Sequence, residues 1–183
     1  MKELSLNILD VTENSVKAGA TLTQIIITEK SRKMTIVIKD NGCGMNAEIL
    51  KGVTDPFYTT RTTRKVGMGL PLLKMAAEMS GGKMTVASIS VDDDKQNHGT
   101  TVTAEFDMDN IDFTPLGDII ATITTLIQGH PDTDFEFCHE TEKGIVKLET
   151  LMLRELLEDV PLSSYEVIKW IEEYLREQYE SLG

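Results

Sequence analysis

Apolar positions at helical spacing run through residues 4–18 (LSLNILDVTENSVKA), and Gly19 closes them, which predicts an N-terminal helix. Two runs dense in Ile, Val and Thr follow, TLTQIIITE and KMTIVIKD, joined by polar residues, and they predict an antiparallel hairpin. A glycine loop, DNGCGM, and a short helix over 46–52 come next. Residues 53–67 are polar, rich in Thr and basic side chains, and long enough for a mobile loop. A helix is expected over 68–80, with Pro71 near its start, where a missing N–H costs nothing. Gly81-Gly82 stops it, and KMTVASIS and TTVTAEFDM read as two more strands around the acidic DDDKQNHG.

Beyond the boundary at 107–115 the pattern predicts a helix over 115–128 and a second hairpin from TDFEFCHE and GIVKLET. Helices follow over 150–158 and 163–180. Ser163 and Glu166 have capping-box spacing, and Ile168, Ile171 and Leu175 form an apolar stripe. Trp170 and Tyr174 flank that stripe and are expected to pack onto the sheet. The class predicted is an α/β two-layer sandwich: a mixed, mostly antiparallel sheet with helices on one face. Its division is expected to be 1–109 as the main domain and 110–183 as an acidic α+β extension.

Charge sharpens that division. The chain of 183 residues has a formal charge of −12. Residues 110–183 carry 5 basic and 16 acidic side chains, so nearly all of the excess sits there. A nucleic-acid binder needs a basic face, so the overall balance argues against that class. No apolar run reaches the ~20 residues that span a bilayer, and MKELSLNILD lacks the apolar core of a signal peptide, so a cytoplasmic protein is expected. Cys43 and Cys138 have no framework spacing, and no disulfide is expected.

Three segments have the residue types of a site. Asp10, Asn14 and Lys17 are spaced i, i+4, i+7 on one helix face, where the Asn14 carboxamide oxygen suits a hard cation such as Mg²⁺. Asp40 ends a strand and can accept a hydrogen bond from an exocyclic amine, while Gly42 and Gly44 admit a flat ring; an ordinary D-N-G turn is the competing reading. Gly67-Met68-Gly69-Leu70 opens a helix, so its N–H groups favour an anion, with Arg61, Arg64 and Lys65 just upstream.

Taken in order, these segments resemble the ATP-binding domain shared by DNA gyrase, heat-shock chaperones, sensor histidine kinases and mismatch-repair ATPases (the Bergerat fold). ENSVKAG resembles its first box, DNGCGM its second, DPFYTT its phenylalanine box and GMGLPLLK its last glycine box, with HGTTVT as the closing Gly-Thr strand. The resemblance covers residues 4–106 and is nearest to the histidine kinase branch. It implies ATP and Mg²⁺ as ligands. Asn14 would then hold Mg²⁺, and Asp40 would bind the adenine amino group with support from Thr101 or Thr100. Gly42 and Gly44 would shape the base pocket, Gly67 and Gly69 would meet the phosphates, and Lys17 would lie near them. Phe57 and residues 58–66 would form a lid, and Met45, Thr60, Met68 and Leu70 fall inside the same boxes.

Hydrolysing members place a glutamate four residues before the asparagine; here that position is Asp10, one methylene shorter. Asp10 is therefore a candidate general base, or equally a partner of Mg²⁺ or Lys17. Glu13 lies about 100° around the helix and is the weaker candidate. The resemblance begins at residue 4, so no phosphoacceptor hairpin is expected before it, and His98, His130 and His139 read as surface or partly packed residues. Three classes remain: an ATPase or kinase-like enzyme acting on a protein partner in trans, a nucleotide-gated binding module, and an interaction protein with a decayed site. The intact boxes disfavour the third.

Overall fold

The computed structural model describes residues 2–55 and 68–183. The elements in chain order are α1 (Leu4–Lys17), β1 (Leu22–Lys30), β2 (Lys33–Asp40), α2 (Ala47–Gly52), α3 (Gly69–Met79), β3 (Lys83–Ile89) and β4 (Gly99–Asp107). Then come α4 (Ile119–Gly129), β5 (Asp134–Thr141), β6 (Gly144–Glu149), α5 (Thr150–Leu157) and α6 (Tyr165–Ser181).

The strands form one six-stranded sheet in the order β3-β4-β2-β1-β5-β6. All neighbours are antiparallel except β1 and β5, which run parallel. Alternation sets the faces: Ile25 and Ile27 of β1 lie opposite Ile38 and Ile36 of β2 and opposite Phe137 and His139 of β5, all buried. Val102 and Ala104 continue that face on β4, and Val146 and Leu148 on β6. Leu4, Ile8 and Val11 of α1 join Leu73, Ile123, Leu126, Ile171 and Leu175 from the other helices in a single core against these residues. The helices therefore cover one face, as the sequence predicts.

The parallel β1–β5 pair ties the C-terminal segment into the same sheet, with Leu22 opposite Asp134. This segment also grips α1. The Leu4 and Ser5 N–H groups donate to the carbonyls of Pro115 and Leu116 at 2.9 and 2.8 Å. The Thr122 hydroxyl donates to the Ser5 carbonyl at 3.1 Å, and Glu13 meets His130 Nε2 at 2.7 Å.

Three local expectations differ from the structure. The 115–128 helix starts at Ile119 because Gly117 has φ +77° and the Asp118 carboxylate caps the Ala121 N–H at 2.9 Å. The last helix has Ser164 as its N-cap without a side-chain cap bond, so the Ser163–Glu166 box does not form. Trp170 and Tyr174 do not pack onto the sheet: they are 48% and 38% exposed and stack on each other, ring centroids 4.9 Å apart. A stripe at 3.6 spacing identifies the buried side of a helix but does not assign its flanking aromatics to either side.

Candidate nucleotide site

The site forms where the ends of α1 and β2 meet the start of α3. Asp40 is the last residue of β2, 9% exposed, on the core face. A carboxylate in that position needs donors, and it has two. The Ser15 hydroxyl of α1 donates to Oδ2 at 2.7 Å, and the Gly42 N–H donates to Oδ1 at 2.9 Å. Both oxygens retain acceptor capacity, so the group can take a further N–H donor from a ligand.

The loop after Asp40 is held on every side. The Cys43 N–H donates to the Ala18 carbonyl at 2.9 Å, and the Val91 N–H to the Cys43 carbonyl at 2.8 Å. His98 Nδ1 lies 2.5 Å from the Gly42 carbonyl; a carbonyl only accepts, so Nδ1 carries the proton of that bond. The Met45 N–H donates to the Ser88 hydroxyl at 2.8 Å, which in turn contacts the Thr100 hydroxyl at 2.8 Å. Gly44 has φ +67°, and a Cβ there would sit 1.9 Å from the Ile89 carbonyl oxygen. A Cβ on Gly42 would be 2.9 Å from Ala18 Cβ. The glycines are required by the close approach of three backbone segments.

At the other end, α3 starts against α1. A Cβ on Gly69 would lie 3.0 Å from Asp10 Cβ. Met68 caps α3 without a side-chain hydrogen bond, and Leu70 is buried behind it. Asp10 and Asn14 are half-buried on α1 and Lys17 is exposed. Asp10 and Asn14 offer oxygen donors, one carboxylate and one carboxamide, which suits a magnesium ion that completes its shell with water and phosphate oxygens. No cluster of three His, Cys, Asp or Glu side chains able to hold a metal occurs among the described residues.

Asp10, Asn14, Lys17, Asp40, Gly42, Gly44, Met45, Met68, Gly69 and Leu70 all lie on the three elements just described or the loops between them. Thr101 does not share their face: it pairs with Lys39 and Ala87 on the open side of the sheet, while Thr100 lies opposite Asp40. Period-two alternation decides between these neighbouring threonines. Phe57, Thr60, Arg61, Arg64, Lys65 and Gly67 lie outside the described residues. Sequence reasoning missed Ser15, Ser88 and the role of His98; Ser15 sits one helical turn after Val11 on the buried side, which was its only signal. His139 is also no surface residue: it is 4% exposed, bonded to the Tyr179 hydroxyl at 2.7 Å and to Glu29 at 3.1 Å.

A mixed sheet covered on one face by helices, with a buried carboxylate and a tight glycine loop at the end of a central strand, makes this an α/β two-layer sandwich. The chain belongs to the histidine kinase-, DNA gyrase B- and HSP90-like ATPase family, whose model matches residues 2–110. Among curated proteins it is 30% identical over 89 residues to the signal transduction histidine-protein kinase AtoS of Escherichia coli, which covers 49% of this chain and 14% of the kinase. It is also 30% identical over 89 residues to the sensor protein KdpD of Clostridium acetobutylicum, covering 46% of this chain and 10% of that protein. The chain thus spans a small fraction of the length of these relatives. In fold it is similar to the ADP-bound MutL ATPase domain of Aquifex aeolicus, with a TM-score of 0.55 and 17% identity over 97% of this chain and 70% of that one. That likeness runs well past residue 110. ATP binding follows from membership of the family. No helix among the described residues is long and apolar enough to cross a membrane.

Proposed function

We propose that the chain binds ATP with Mg²⁺ between α1, the Asp40 loop and the start of α3, and that it hydrolyses ATP weakly or transfers the γ-phosphoryl group to a protein partner in trans. The observation that carries this reading is the juxtaposition of Asp10 with Gly69 at the start of α3, while Ser15, nearly a turn and a half further along α1, fixes Asp40. One helix thereby spans the base end and the phosphate end of the pocket. Asn14 would hold Mg²⁺, which neutralises charge on the phosphates. Asp40 would accept the adenine amino N–H, with Thr100 rather than Thr101 beside it. The α3 N-terminus would face the phosphates with its dipole, and Lys17 would approach them from the exposed rim.

Asp10 is the proposed base. It takes a proton from water or a partner's hydroxyl as that oxygen attacks the γ-phosphorus; the bond from that phosphorus to the β,γ-bridging oxygen breaks, and ADP leaves with its electron pair. Glu13 is engaged by His130, which supports Asp10 over Glu13 for this role. Residues 1–109 act as the nucleotide-binding unit in this reading, and 110–183 as an acidic extension that completes its sheet. The alternative is a nucleotide-gated protein-binding module without turnover.

Incubation with γ-labelled ATP and Mg²⁺, wild type beside Asp10→Asn, separates these readings. Free phosphate that vanishes in the variant supports hydrolysis with Asp10 as base, and label on an added partner supports transfer. Tight ATP binding with neither product rejects catalysis by the chain alone and leaves the gated module.

A further inference from the structure

Helix α5 is apolar on both sides. At 100° per residue, Leu153, Leu157, Thr150 and Arg154 occupy its inner half, and Leu151, Met152, Glu155 and Leu156 its outer half. Leu153 and Thr150 are buried, whereas Leu151, Met152 and Leu156 are 48%, 60% and 80% exposed. Val160 and Tyr165, just beyond the helix, are exposed as well. A helix with apolar side chains on both its inner and outer halves has more apolar surface than the core covers, and clustered exposed apolar side chains mark interaction sites where single ones do not.

The charges of the segment that carries this face argue for its occupant. Between residues 149 and 166 stand Glu149, Glu155, Glu158, Asp159 and Glu166 against one cation, Arg154. Arg154 is already committed: its Nε donates to Asp134 Oδ1 at 2.7 Å. A second copy of the chain would set this acidic rim against itself. A partner with basic residues around an apolar stripe is complementary in both respects.

The surface also stands at the nucleotide end of the sheet. Asn41, in the loop after Asp40, accepts the Thr21 N–H at 2.9 Å, and the Thr21 carbonyl accepts the Asp134 N–H at 2.9 Å. Asp134 in turn accepts the Thr150 hydroxyl at 2.8 Å, at the first residue of α5.

We propose that the outer face of α5, with Val160 and Tyr165, is the docking surface for a protein partner that presents an apolar stripe flanked by lysines or arginines. This names the partner's chemistry for the functional reading above and rests on that reading only for there being such a partner. The probe is a labelled synthetic amphipathic helix, leucines along one face and lysines along the other, followed by fluorescence anisotropy without nucleotide. A matched peptide carries glutamates in place of the lysines. The wild-type protein binds the lysine peptide and not the glutamate one. Met152→Ser/Leu156→Ser, whose side chains are exposed so that the fold is kept, weakens binding about tenfold or more.

Equal binding by wild type and that variant overturns the proposal. So does an equal loss from Glu173→Gln/Glu177→Gln on α6, which would mean unspecific attraction to an acidic surface. A dimer in sedimentation that disappears in Met152→Ser/Leu156→Ser would make a second copy the occupant and overturn it too. Because no nucleotide is present, an absence of ATP turnover leaves these outcomes unchanged.

Discussion

Replacing Ser15 by Ala removes one atom from the interior of the site. Ser15 is 4% exposed and Asp40 9%, and the bond between them is 2.7 Å. A hydrogen bond to a charged acceptor contributes about 1.5–3 kcal/mol, more than a neutral pair, because the buried carboxylate has few alternatives. After the change Asp40 keeps only the Gly42 N–H among its protein donors described here. The whole of that cost is therefore expected, and for a chain of this size it corresponds to about 3–12 °C in Tm. Asp40 also loses the contact that fixes its rotamer, so ATP affinity is expected to fall roughly tenfold. Ser80→Ala is the control. That serine is equally buried and donates to the Ala77 carbonyl at 2.8 Å, but on the far end of α3. It should lower Tm and leave ATP affinity unchanged. Urea unfolding and calorimetric titration with ATP measure both quantities. A Ser15→Ala protein as stable as wild type, with unaltered affinity, refutes the reasoning.

Other perturbations test other contacts. Gly44→Ala places a Cβ 1.9 Å from the Ile89 carbonyl at φ +67°, so a loss of about 3 kcal/mol or more is expected in denaturant unfolding. Gly129→Ala, with nothing within 4 Å, should be close to neutral, and similar effects of the two would contradict the close packing of the Asp40 loop. His130→Ala removes the partner of Glu13, and a Tm lowered by a few degrees, restored in part by His130→Gln, is expected from thermal melts. Burial, with Glu29 second, raises the Tyr179 phenol above its ordinary 10. The unfolded chain then loses that proton first, so stability is intact below pH about 10 and falls as pH rises beyond it. Tyr179→Phe should flatten that decline in an unfolding series, and an unchanged slope would exclude the phenol as its source.

The sheet was legible because its strands are short runs dense in Ile, Val and Thr between polar turns. Which residues face the core was not, since Ile25-Ile26-Ile27 and Ile36-Val37-Ile38 are apolar throughout and only the register buries the outer two of each three. Helix α1 was legible because polar residues at i, i+4 and i+7 share one side of it and its other side is apolar. Periodicity alone could not reveal that β5 would lie parallel beside β1, because that pairing joins segments more than a hundred residues apart and leaves no local mark. Nor could it choose between Thr100 and Thr101, which needs the register against Asp40. His98 and Ser15 act through single hydrogen bonds to backbone and carboxylate, and such contacts exist only once the loop and helix have been brought together. Trp170 and Tyr174 were misplaced because aromatic side chains flanking an apolar stripe usually extend the buried side, whereas here they stack on each other in solvent.

The most direct test of the central claim is calorimetric titration of the protein with ATP, with Mg²⁺ and with the metal chelated, beside the Asn14→Ala variant and beside GTP. The account predicts that wild type binds ATP more tightly with Mg²⁺, that Asn14→Ala loses this dependence on the metal, and that GTP, with no amino group to offer Asp40 in that position, binds far more weakly. An Asn14→Ala protein that keeps the wild-type dependence on Mg²⁺, a wild-type protein that shows none, or equal binding of GTP and ATP would contradict it.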